Sequence, residues 1–100
     1  MSVLQSLDFR ISGEVADLFL RTLGDISAAL ASGGIDNQDI GSSLTEKITA
    51  AKNAPNKKTR DNIINAFINE VNAQAGQKKH ISTAAAALLI GDAIAMLGLP

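Results

Sequence analysis

The chain has 100 residues, a formal net charge of -1 from nine Lys and Arg against ten Asp and Glu, and no cysteine. The absence of cysteine excludes disulfides, thiolate metal sites and a cysteine nucleophile. The lack of a basic surplus disfavours nucleic-acid binding, because that binding depends on neutralising phosphates. Aromatic residues make up only 3% of the chain, so the core must consist mainly of aliphatic side chains, which favours one domain of closely packed helices.

Residues 1–12 are interpreted as a lead-in or linker remnant, and residues 13–100 as a single helical domain. The N-terminal segment lacks the basic and apolar stretches of a secretory signal, which indicates either a cytoplasmic protein or a module of a longer exported chain. The first helix is expected from Gly13 to Ser32, with Ser12 as its cap. Gly24 leaves open whether this is one helix or two, because glycine costs about 1 kcal/mol in a helix interior. Apolar residues at helical spacing define its inward face: Val15, Phe19, Leu23, Ile26 and Leu30.

The second helix is expected from Ser43 to Asn53. It follows the turn signal Gly33-Gly34 and the polar loop letters IDNQD. Ser43 and Glu46 have the spacing of a capping box, in which each side chain satisfies an exposed backbone N–H of the other. Pro55 ends the helix, because the residue before a proline is disfavoured in the helical region. The predicted inward face consists of Leu44, Ile48 and Ala51.

The third and fourth helices are expected to form an antiparallel hairpin around Gly76. The third runs from Lys57 to Ala75 with Asn56 or Thr59 as its cap, and the fourth runs from its cap, Ser82, to Leu97. The fourth helix is apolar around more than half of its circumference, so it is predicted to be central or to pack on two neighbours. The predicted fold is therefore all-α, a compact four-helix bundle with a C-terminal antiparallel helical hairpin.

No set of residues predicts catalysis or a cofactor, since GxSxG, HExxH and glycine-rich phosphate-loop motifs are absent; the protein is expected not to be an enzyme. His80, the one histidine, follows two lysines and is interpreted as a solvated turn residue with no metal role. The loop from Asp36 does not fit an EF-hand, because Ile40 and Lys47 occupy ligand positions five and twelve. The stretch from Ala84 to Leu97 is shorter than the roughly 20 residues of a membrane span, so no membrane insertion is expected.

The last two helices resemble a known family. The stretches AFINEVNAQAG and KHISTAAAALLIGDA, with GGIDNQDIGSSLTEKITAA upstream, resemble the FIMAH domain, a small helical module found mostly near the C-termini of secreted, multidomain bacterial proteins. The likeness covers about residues 15–97 and is most specific between Phe67 and Ala93. Relative to that family, Gln77 and Lys78 form an insertion in the turn that follows Gly76. The matching residues are Ile35, Ile40, Ser43, Leu44, Lys47, Ile48, Phe67, Ile68, Val71, Asn72, Gln74, Gly76, Ile81, Ala85, Leu89, Ile90 and Ala93.

The resemblance implies an accessory module without an active site, located outside the cell or at its surface. Most of the matching residues are apolar or turn residues, so the shared motif is interpreted as a packing motif. The predicted core motif consists of Phe67, Ile68, Val71, Ile81, Ala85, Leu89, Ile90 and Ala93.

The expected function is non-catalytic binding of a protein or cell-wall partner by a monomer or weak homo-oligomer. Two surfaces are candidates: the polar face of the third helix, and a rim that consists of Ile35, Asp36, Asn37, Asp39 and Ile40. Two alternatives stay open. One is a homo-oligomeric structural or virion-like assembly protein whose apolar fourth helix is completed between subunits, and the other is a calcium-dependent, dockerin-like module.

Overall fold

A computed structural model describes the backbone of residues 3–100 and the side chains of residues 18–100. The chain forms four helices: α1 (Val3–Ser32), α2 (Gln38–Lys52), α3 (Lys57–Gln74) and α4 (Thr83–Leu97). Each helix packs against the next in sequence, and α4 also packs against α1; in the described part of the chain no Cα atoms of the diagonal pairs lie within 8 Å of each other. The prediction of an all-α four-helix bundle is confirmed, and α4 packs on two neighbours as expected.

The first helix begins at Val3, so the predicted start at Gly13 is wrong. A signal for the longer helix is present in the sequence, because Leu7, Ile11, Val15 and Phe19 follow one another at intervals of four, the helical repeat. Ser12 therefore lies inside the helix, and α1 continues through Gly24 without a break. The predicted inward position of Val15 falls outside the described side chains.

The start of α2 also differs from the prediction. The helix begins at Gln38, and the side-chain oxygen of Asn37 accepts a hydrogen bond of 3.1 Å from the backbone N–H of Ile40. Asparagine is as favourable a cap as serine, so Asn37 starts the helix ahead of Ser43. Ser43 instead lies within the helix, where its hydroxyl donates to Glu70 on α3 at 3.0 Å. Lys47 pairs with the same carboxylate at 2.9 Å, so this polar group joins α2 to α3.

The predicted caps of the last two helices are confirmed. Asn56 accepts from the backbone N–H of Thr59 at 2.8 Å, and Ser82 accepts from that of Ala85 at 3.1 Å. Gly76 has a φ of +124°, a conformation that disfavours residues with a side chain. The last helical residue of α3 is Gln74, one residue before the predicted end.

The two loops at one end of the bundle bond directly to each other. The α1–α2 loop places Ile35 in an isolated antiparallel bridge with Ile81 of the α3–α4 loop. The backbone N–H of Ser82 donates to the carbonyl of Gly34 at 2.7 Å, and that of Asp36 donates to the carbonyl of His80 at 2.9 Å. These bonds bring the C-terminal end of α1 beside the N-terminal end of α4, and so they close the ring of helices.

The core is aliphatic with two phenylalanines, as the composition requires. Within the predicted core motif, Ile68, Ala85 and Ile90 are half-buried and pack against the core, and the other members are buried. Leu88, by contrast, is 51% exposed although its neighbour Leu89 is fully buried. The buried apolar residues are Phe19, Ile26, Ala29, Ile35, Leu44, Ile48, Ala51, Ile64, Phe67, Val71, Ile81, Ala86, Leu89, Ala93 and Met96.

Truncation of the core should strongly destabilise the protein. We expect Phe67→Ala to lower the free energy of unfolding by about 3–5 kcal/mol and Leu89→Ala by about 2–5 kcal/mol, because each removes buried contacts and leaves a cavity. Leu88→Ala is the matched control and should change it by about 0.5 kcal/mol or less, since this side chain is largely in solvent. Urea denaturation followed by circular dichroism measures all three. Equal effects at positions 88 and 89 would contradict the orientation of α4.

The cap of α2 provides a second test. We expect Asn37→Ala to lower the free energy of unfolding by about 1 kcal/mol, because one backbone N–H of the first turn loses its acceptor. Asn37→Ser, which keeps a side-chain acceptor, should recover most of that loss in the same denaturation experiment. An unaffected Asn37→Ala variant would indicate that the helix begins elsewhere.

Candidate interaction surface

The predicted rim is mostly occupied by contacts within the chain. Ile35 is only 1% exposed, so its assignment to an interaction surface is wrong; its bridge to Ile81 holds it in the core. Ile40 is half-buried against the core, and Asn37 caps α2. Asp36 bonds to His80, and Asp39 is exposed in the first turn of α2. The rim therefore offers two exposed carboxylates and no continuous apolar contact area.

His80 has a specific partner that the sequence did not indicate. Its Nδ1 lies 2.8 Å from Oδ1 of Asp36, and the two side chains are 49% and 59% exposed. The two residues are 44 positions apart and meet only because the loops pair. The two lysines that precede the histidine in the sequence therefore did not indicate that it lies beside a carboxylate.

The His80–Asp36 pair should contribute little to stability. Exposed polar or charged side-chain pairs are worth about 0–1 kcal/mol, because water competes for both partners and both side chains lose freedom. We expect His80→Ala to lower the free energy of unfolding by at most about 1 kcal/mol, with Asp36→Ala giving a similar loss. A loss of several kcal/mol in chemical denaturation would show that this contact is essential for pairing of the loops.

The polar face of α3 is exposed as the sequence predicts. Four asparagines, Asn62, Asn65, Asn69 and Asn72, lie on it at intervals of three and four residues. Asparagine is a poorer helix former than alanine by about 0.6 kcal/mol at each such position. The surface carries hydrogen-bonding amides, but none of them is a buried, unsatisfied polar group that would indicate a ligand.

The outer surface of α4 is the most unusual surface of the bundle. Its exposed residues lie at intervals of three and four, so they share one side of the helix. Leu88 and Ile94 are 51% and 60% exposed, and the helix has only one charged residue, Asp92, which is buried. At these positions apolar side chains face solvent and the charged side chain faces inward, which is the reverse of an ordinary amphipathic helix. We define this outer surface of α4 as Ala84, Ala87, Leu88, Gly91, Ile94 and Ala95.

A shallow groove of about 350 Å³ adjoins this surface between α1 and α4. Its walls are mostly small or apolar, and Ala84 and Leu88 belong to both the groove and the outer surface of α4. Small side chains on both walls allow the backbone of a helix from another molecule to approach closely. On α1 the groove is lined by Asp25, Ala28, Ala29 and Ser32.

Asp92 lies behind the outer surface, in the contact between α4 and α1. It is 4% exposed, and its Oδ2 is buried without a hydrogen-bond partner among the described residues. Oδ1 lies 3.8 Å from Nε of Arg21, whose side chain is largely in solvent. Burial, followed by the facing side chain of Asp25, raises the pKa of Asp92 from an ordinary 3.8 to about 7, and Arg21 opposes this increase.

The position of Asp92 could have been found in the sequence. It lies three residues after Leu89 and four before Met96, so the helical repeat of the core residues places it inward. Its partners on α1 could not be predicted, because they depend on how α1 and α4 are aligned.

The described part of the chain holds no group of three or more His, Asp or Glu side chains arranged to bind a metal ion. Within the same residues, none of the helices combines the length and apolar character that a membrane crossing requires. Comparison of the chain with protein-family models, with curated proteins and with solved structures finds no match. The geometry of the surface must therefore carry the functional interpretation.

Proposed function

We propose that this protein is a non-catalytic helical module that binds another protein through the outer surface of α4. The observation that carries this proposal is the uncharged, apolar character of that surface, with Leu88 and Ile94 each more than half exposed. Large apolar side chains grouped on one exposed helix face are typical of a binding site. The partner that fits is an apolar helix, because the small residues of α4 and of the groove allow close approach.

The dimensions of the surface are suited to one partner helix. The 15 residues of α4 extend over about 22 Å at 1.5 Å per residue, which is four turns of a facing helix. Covering the exposed halves of Leu88 and Ile94 would contribute about 1 kcal/mol each. Most of the affinity must therefore come from close packing along the alanines and the groove, which makes the binding sensitive to any enlarged or charged residue there.

The setting of the module is proposed from its resemblance to the FIMAH domain. On that basis we propose an accessory module of secreted or cell-surface bacterial proteins, with no catalytic role and no cofactor. The partner is a protein rather than the cell wall, because the exposed side chains of α4 are apolar except for Thr83 at its N-terminal end, which leaves little to bond to a glycan. The rim and the asparagine face of α3 are not part of this proposal.

A second candidate function is assembly of identical copies, and the same surface favours it. Two copies related by a two-fold axis bring the same surface into contact with itself, so that surface must be self-complementary. The outer surface of α4 carries no charge that would repel its own copy, and large residues on it alternate with small ones. Such a contact would cover the exposed apolar residues of α4 with those of the second subunit.

The double variant Leu88→Glu/Ile94→Glu tests assembly of identical copies. Sedimentation velocity from micromolar to millimolar concentration measures self-association, and wild type should form dimers that the variant does not form if identical copies assemble. The control is Asn65→Glu/Asn72→Glu, which adds the same two charges to the exposed face of α3. Since all four positions are exposed, each variant should keep the helical circular dichroism of wild type.

Binding of a different protein is tested by site-specific photo-crosslinking in the cells that produce the protein. A photoreactive residue in place of Leu88 should give a covalent adduct with one partner, and the same residue in place of Asn65 should not. The adduct should be lost when Ile94→Glu is added. If position 88 gives no adduct with either a partner or a second copy, the outer surface of α4 is not an interface and the proposed function is wrong.

A further inference from the structure

The contact between α1 and α4 contains an unsatisfied carboxyl oxygen that packing alone does not explain. Asp92 is buried at 4% exposure, and Oδ2 has no donor among the described residues. Asp25 lies one helical turn after Arg21 on the face of α1 that meets Asp92, and its carboxyl group is among the causes that raise the pKa of Asp92. Two carboxylates in contact cannot both be ionised without strong repulsion, and burial increases that cost.

We propose that a proton shared between Asp92 and Asp25 holds α4 against α1, and that the contact loosens when this proton is lost. A protonated Asp92 has an O–H that donates to the Asp25 carboxylate, so the orphaned oxygen gains a partner and the repulsion is removed. Loss of the proton leaves a buried anion beside a second anion. The contact therefore acts as a proton-dependent latch between two helices.

The remaining neighbours do not replace the proton. Arg21 reaches only to 3.8 Å and is largely in solvent, so its attraction for Asp92 is weak. The hydroxyl of Thr22 donates to the carbonyl of Leu18 at 2.8 Å, and it opposes the raised pKa of Asp92 less than Arg21 does. On its other side α4 packs against α3. Lys57 and Arg60 of α3 donate to backbone carbonyls at the C-terminal end of α4, and Lys57 also pairs with Asp61. Among the described side chains, Arg21 is therefore the one cation near the latch.

The direction of the pH dependence follows from the proton count. The folded protein keeps a proton on Asp92 up to a pKa of about 7, whereas the unfolded chain loses it near 3.8. The folded state thus binds more protons between about pH 4 and pH 7, and stability falls as the pH rises through that range. Above about pH 7 both states are ionised at this residue, and the decline ends.

The latch also borders the groove, because Asp25 is one of its lining residues. Ionisation of Asp92 therefore adds a buried negative charge next to Asp25, at the α1 wall of the groove. This inference concerns the contact between two helices of one chain and does not depend on whether a partner binds. Its test therefore leaves the proposed function open.

The main experiment is thermal unfolding of wild type and of Asp92→Asn from pH 5 to pH 8.5. Asparagine keeps the shape and a hydrogen-bond donor toward Asp25 but does not titrate. We expect the melting temperature of wild type to fall with rising pH and to level off above about pH 7, and that of Asp92→Asn to change little. Both proteins carry His80→Gln, because histidine is the other side chain that ordinarily titrates in this range. Asp61, whose pKa is lowered by its bond to Lys57, titrates below the pH range of this experiment.

A direct measurement keeps the inference testable if Asp92→Asn does not fold. The side-chain carboxyl carbon of Asp92 in wild type, followed by NMR, should titrate with a midpoint near 7, and Asp25→Asn should lower that midpoint by removing the facing anion. Amide exchange in α4, compared with α2 as the internal reference, should accelerate above this midpoint in wild type alone. An Asp92 midpoint near 3.8, or one unchanged by Asp25→Asn, overturns the inference.

Discussion

The pairing of the two loops at one end of the bundle is the contact on which the remaining structure depends. Gly34, Ile35 and Asp36 bond to His80, Ile81 and Ser82, which brings together segments more than 40 residues apart. Each loop by itself is a short connection between adjacent helices. Bonded together, they align α1 with α4 and bury Ile35 and Ile81 at the end of the core. The groove and the Asp25–Asp92 contact both follow from that alignment.

The orientation of α4 decides the functional interpretation. A helix composed almost wholly of Ala, Leu, Ile and Gly has no polar face to mark its solvent side. Packing between α1 and α3 selects Ala86, Leu89, Ala93 and Met96 for the interior, and Leu88 and Ile94 then lie outside. The same rotation turns the helix's one carboxylate inward. The apolar outer surface and the buried carboxylate are thus two consequences of a single orientation.

The two proposals describe different properties of one part of the molecule. The outer surface of α4 lacks charge and contains small residues, which is the chemistry of helix–helix association. The contact behind it contains a carboxylate pair whose repulsion is relieved by a proton. Nothing requires these properties to be linked, but the groove that borders both offers a physical connection, since Asp25 lines the groove and faces Asp92.

The sequence by itself determined the helical class, the antiparallel hairpin, the caps at Asn56 and Ser82 and most of the inward positions, because these depend on periodicity and local hydrogen bonding. Two helix starts differ from the prediction: α2 begins after Asn37, ahead of the Ser43–Glu46 capping box, and α1 begins at Val3 rather than at Gly13. The tertiary structure alone decided the Asp36–His80 pair, the burial of Ile35 and the exposure of Leu88. Each depends on contacts between residues far apart in the chain, and no local spacing encodes the alignment that brings them together.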